Sequence, residues 1–79
     1  MSLRAAARYL ARGEWEKAHG IAQEDESALG AWAHGIVHLQ EGDLDNARYW
    51  YGRARRAFPS PVDALAEVKA LTAALGDAE

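Results

Sequence analysis

The string HGIVH sets His34 and His38 four residues apart. On a helix that spacing puts both imidazoles on one side, with Cβ atoms about 5–6 Å apart. Two-histidine metal sites use this arrangement. A zinc site needs a third protein ligand, and His19, or Glu41 and Asp43 beyond the second histidine, can supply it after folding. No glutamate directly follows His34, so the zinc-protease helix motif is absent. The plainer role is structural, with both imidazoles partly buried between helices and hydrogen-bonded to tyrosine, Asn46 or carboxylates. The sequence alone favours that role and with it the expectation of no cofactor. Metal or small-ligand binding through His34 and His38 stands as the alternative.

No other constellation selects a reaction. The hydroxyls are Ser2, Ser27, Ser60 and Thr72, and the serines fall where helix caps are needed. No glycine-rich phosphate loop follows a strand, because no strand is expected. Nothing singles out a histidine–carboxylate pair for acid–base work. The expectation is a protein without catalysis. Arg4, Arg8 and Arg12 form one basic stripe, and Arg48, Arg53, Arg55 and Arg56 a second basic group. Such stripes are most often solvated helix faces. A formal net charge of −3 argues against a general nucleic-acid binder.

The aromatic run Tyr49, Trp50, Tyr51 raises a different question, since a helix turns about 100° per residue and cannot bury all three on one face. Tyr51 shares a stripe with Ala47, Ala54 and Phe58 and is assigned to the core. Trp50 is one residue further round and is expected to reach the last helix or a neighbouring chain. Tyr49 points away and should be at least half exposed.

These residues must be positioned by helices. Alanine and leucine dominate, β-branched residues are scarce and period-two alternation is absent, so the chain is expected to be all-α. The punctuation predicts five helices. The first runs from about Ser2 to Arg12 and stops at Gly13. The second runs from about Glu14 to Gln23. Ser27 caps a third that reaches Glu41 and stops at Gly42. Asp43 caps a fourth that continues to about Phe58 and halts at Pro59. Ser60, with Pro61 behind it and Asp63 at the third position, opens a fifth that ends at Gly76, after which the last three residues fray. Short glycine-centred turns imply antiparallel hairpins.

The chain of 79 residues is read as one domain, 1–79, near the lower limit of independent stability. It has no cysteine, which fits a reducing cytosol and removes thiolate chemistry. No apolar run approaches the roughly 20 residues that span a bilayer, and the arginines near the N-terminus precede no apolar signal-peptide segment. The expected location is cytoplasmic, away from membranes.

The chain also repeats itself. Leu10, Gly13, Glu14, Trp15 and Ala18 match Leu39, Gly42, Asp43, Leu44 and Ala47 in order and spacing, the mark of a helical repeat. Residues 27–59 resemble a tetratricopeptide repeat, with Gly35, Ala47, Ala54 and Pro59 on that family's small-residue and terminating positions and EGDLDNA reading like its turn. Residues 2–26 then form a degenerate hairpin and 60–76 a capping helix. The string AWAHGIVHLQEGDLDNARYWY is also similar to short bacterial proteins of no assigned function. The resemblance implies close approach of the third and fourth helices at Gly35, against Ala47 and Ala54. It also places Trp32, Ile36 and Leu39 toward a concave side. If the first and fifth helices leave that side uncovered, it joins Tyr49 and Trp50 in an interaction surface. The expected function is a protein–protein interaction or scaffold module, docking on another protein or on itself as a homodimer. Gly30, by contrast, is expected to tolerate alanine.

Overall fold

Side-chain caps start most of the helices. The computed structural model describes residues 2–76 and, among them, five helices and no strand. They are α1 (Leu3–Ala11), α2 (Trp15–Ala22), α3 (Ala28–Glu41), α4 (Leu44–Ala54) and α5 (Ala64–Leu75). Ser2, Ser27, Asp43 and Asp63 accept from the backbone N–H of Ala5, Gly30, Asn46 and Ala66, satisfying donors that the first helical turn leaves open. The Glu14 side chain makes no such bond at the start of α2. Gly13 and Gly42 take positive φ of 76° and 89° at the α1–α2 and α3–α4 turns, a conformation that glycine adopts without steric penalty.

Two boundaries differ from expectation. The fourth helix stops at Ala54 rather than near Phe58. Arg55 turns left-handed (φ 60°, ψ 42°) and its N–H bonds to Gly52 O, while the Arg56 N–H bonds to Tyr51 O at 3.0 Å. This closure satisfies the last carbonyls of the helix before Pro59 is reached. Phe58 therefore meets the core from irregular chain, its ring 5.5 Å from that of Tyr51. At α5, Asp63 is the cap and Ser60 lies outside the helix, because the Asp63 carboxylate reaches Ala66 N–H at 3.1 Å. The expected fraying of the last three residues falls outside the described residues.

The α3 helix is the centre of the bundle. It packs on α1, α2, α4 and α5, and α1 in turn packs on α2 and α5. Every residue from Gly30 to Leu39 is buried, as befits a helix surrounded by others. This corrects the expected surface. Trp32 is 1% exposed, Ile36 is fully buried and Leu39 is 6% exposed, so none is available to a partner. The reason is α5, which folds back across α1 and α3 and brings Val68 and Leu71 into the core. Glu67 on the same helix accepts from Trp32 Nε1 at 3.1 Å and from the Tyr51 hydroxyl at 2.6 Å. The Arg56 guanidinium lies 3.4 Å from the centre of the Trp32 ring. Burial, and then the Glu67 carboxylate, push the Tyr51 phenol well above its ordinary pKa, so it stays a donor. At the other end of α3, Gln40 Nε2 donates to Leu10 O at 2.7 Å and ties the helix to α1.

The two glycines of α3 behave differently from expectation. A Cβ on Gly35 would meet the Tyr51 ring at 2.6 and 2.8 Å and Trp50 Cβ at 3.5 Å, so its close neighbours are these aromatics rather than Ala47 and Ala54. Ala47 and Ala54 are nonetheless buried. A Cβ on Gly30 would run into the backbone oxygen of Asp25, so alanine is not tolerated there without movement of the α2–α3 connector.

Candidate metal centre

The short α2 helix places His19 opposite His34 and His38 on α3. His19 Nε2 and His34 Nε2 are 3.1 Å apart. One ring nitrogen from each of the three histidines lies within 4.8 Å of the others. Ring centroids are separated by 4.7 Å (His19–His34), 5.0 Å (His34–His38) and 5.7 Å (His19–His38). His34 and His38 are buried and His19 is half-buried.

The helix period explains the pairing within α3, and α2–α3 packing supplies the third ring. Of the three expected candidates for a third ligand, the structure brings His19 to the pair. Glu41 instead sits behind His38, its carboxylate 2.7 Å from Nδ1. A carboxylate only accepts, so Nδ1 carries the proton and the lone pair of the neutral ring is on Nε2. A carboxylate holding the far nitrogen of a histidine is the usual outer support of a metal ligand. Asp43 is grouped with His38 and Glu41, but its carboxylate is engaged by the Asn46 backbone and side chain. Of the expected partners of the histidines, a carboxylate is found, Glu41 on His38, while no bond to a tyrosine or to Asn46 is found among the described residues; His19 and His34 partner each other.

The remaining aromatics are placed as follows. Trp50 does not reach α5. Its indole stacks on the His34 ring at 3.9 Å and 9° between planes, closing that side of the cluster. Tyr51 is core, and Tyr49 is 54% exposed, as its place on α4 requires.

Electrostatics favour a neutral ring at His34. Burial, followed by the neighbouring His19 and His38, lowers the His34 pKa from 6.5 to about 4. A neutral imidazole is the form that binds a metal. Two ligands on one tetrahedral zinc, each about 2.0–2.1 Å from it, lie about 3.3 Å apart. The 3.1 Å between His19 and His34 is already close to that value. Without a metal the same pair makes an N–H···N hydrogen bond, one ring donating and the other accepting.

Glu67 and Glu41 were not identified in these supporting roles from sequence. Glu41 follows His38 by three residues, so its reach along the helix is a local signal. Glu67 is 35 residues from Trp32, and no local pattern announces that bond.

Fold and cluster together define an all-helical domain with three converging imidazoles. No family model matches the chain, and neither the curated proteins nor the solved structures compared with it include a match. No helix among the described residues is long and apolar enough to cross a membrane.

Proposed function

We propose that this protein binds a divalent transition-metal ion of the zinc type through His19, His34 and His38, with Glu41 orienting His38. The observation that supports it is the convergence of three imidazole nitrogens within 4.8 Å from two helices. An all-imidazole set suits zinc, copper, nickel or ferrous iron more than magnesium or calcium, which prefer oxygen. A His₃ ion retains an open position. The proposal is of binding rather than catalysis: Ser2 and Ser27 are committed to helix caps, and the Thr72 hydroxyl donates to Val68 O. Protein purified without a nickel column should carry close to one zinc per chain through dialysis, and His19→Ala should abolish it. Metal-free protein that takes up no zinc on reconstitution would refute the reading.

Tyr49 favours a second reading, the interaction module. Its ring is exposed on α4 with the Arg53 guanidinium donating to its hydroxyl at 2.9 Å, the pairing of residue types enriched at interface centres. Docking on another protein, or dimerisation, would use Tyr49 and the outer edge of Trp50. A mass by light scattering that stays monomeric at high micromolar concentration would remove the self-association form of this reading.

A further inference from the structure

A cavity of about 520 Å³ opens beside the histidine cluster, and His34 is the one histidine of the three that lines it. Trp50 and Arg53 of α4 and Arg55 at its C-terminal cap line it, as do Asp25 and Glu26 of the α2–α3 connector. Neither Arg53 nor Arg55 forms an ion pair among the described residues. Arg53 is held in place, its Nη1 donating to the Tyr49 hydroxyl and its guanidinium 5.4 Å from the centre of the Trp50 ring. Arg55 keeps a left-handed backbone (φ 60°) at a position where glycine is the usual residue. Asp25 is already committed, its Oδ1 accepting from both the backbone N–H and the hydroxyl of Ser27. Glu26 is exposed.

Charge balance supplies the second half of the argument. A divalent ion on three neutral imidazoles keeps two positive charges in a site where two of the rings are buried. Glu41, behind His38, offsets one of them. The remainder calls for an anion in the open position or close to it. Arg53 and Arg55 make no ion pair with the Asp25 and Glu26 carboxylates that also line the adjoining cavity, which leaves guanidinium donors for the same kind of ligand, since arginine pairs its planar fork with carboxylate or phosphate oxygens.

We propose that this cavity takes an oxyanion, the phosphate or carboxylate group of a small molecule, which Arg53 and Arg55 hold beside the metal on the His34 side; this rests on the metal-binding reading above. The arrangement makes the metal and the two arginines a joint receptor, so occupancy by the anion and occupancy by the metal reinforce each other.

The test uses the whole chain loaded with cobalt(II), whose visible spectrum reports the ion's surroundings. Inorganic phosphate and acetate are titrated separately. The expected result is a saturable spectral change, with the tighter of the two anions assigning phosphate or carboxylate. Arg55→Gly and Arg53→Gln should each weaken that anion about tenfold or more, the loss of one charge-assisted contact, while cobalt affinity measured without added anion stays within about twofold. Glycine suits the left-handed backbone at 55, so a folding defect does not confuse the result. Cobalt bound normally with no response to either anion, or with variants titrating like wild type, overturns the oxyanion proposal and leaves the metal site standing. If cobalt does not bind, the metal reading has failed. Calorimetry with phosphate and acetate on the metal-free protein then decides: arginine-dependent binding supports the cavity's role, and no binding overturns it.

Discussion

A Gly35→Leu variant is expected to lose about 3 kcal/mol or more of folding stability, at the upper end of overpacking effects. A single added Cβ would stand 2.6 Å from the edge of the Tyr51 ring, and leucine adds three further carbons in the same space. Tyr51 cannot swing aside. Its hydroxyl is fixed by Glu67 at 2.6 Å, Phe58 packs on its ring, and it is 1% exposed. On the other side of the contact, α3 is enclosed by four helices and cannot retreat. The stability of a domain this size is on the order of 4–12 kcal/mol, and each kcal/mol shifts its midpoint by about 4–8 °C. A fall of at least 10 °C by circular dichroism is therefore expected. Melting within two degrees of wild type would show that α3 and α4 do not approach as described. The same displacement would pull Trp50 off His34, so the variant should also bind metal more weakly than its residual fold alone explains.

The sequence made the helices legible where one residue carries the boundary. Ser27, Asp43 and Gly42 each act through their own side chain or backbone freedom, and each boundary lies where that chemistry puts it. Arg55 shows the limit. An arginine in the left-handed region ends α4 four residues early, and nothing local distinguishes it from a helical arginine. The interior of α3 is not legible locally for a related reason. Whether Trp32 faces solvent or core depends on where α5 returns, and that is set by contacts such as Glu67 to Trp32 across 35 residues. The histidine cluster lies between these cases. The i,i+4 pair follows from helix geometry, and Glu41 follows from the same helix three residues on. His19 joins them only because α2 packs against α3, so the sequence offered it as one candidate among three.

Zinc should raise the thermal midpoint of the metal-free protein at neutral pH by about 15–30 °C when free zinc exceeds its dissociation constant about a thousandfold. That ratio corresponds to about 4 kcal/mol of linkage, scaled by the size of the domain. The gain arises because folding creates the site: His19 and His34 are 15 residues apart in the chain and converge only when α2 packs on α3. Protons should compete with the metal, and the metal-free protein shows how. His34 has a folded pKa of about 4 against an ordinary 6.5. Below pH about 6.5 the unfolded chain takes up this proton while the folded chain does not, so stability falls as pH drops from 6.5 toward 4. The full shift corresponds to about 3 kcal/mol, and the opening of the cavity beside the ring to solvent reduces this to about 1–2 kcal/mol. Asp25 works in a separate window. Its pKa is lowered from 3.8 by the Ser27 side-chain and backbone hydrogen bonds, so its contribution is present above that value and disappears only as pH falls further. The zinc-linked gain should shrink as pH falls toward about 4, where a proton takes the His34 lone pair in the folded chain. His19→Ala should cost the metal-free protein only about 1 kcal/mol, the worth of one hydrogen bond, yet remove the zinc response at every pH. A zinc shift of equal size in His19→Ala would mean that the ion binds elsewhere. No shift in the wild type would leave the three imidazoles as a packed, hydrogen-bonded core.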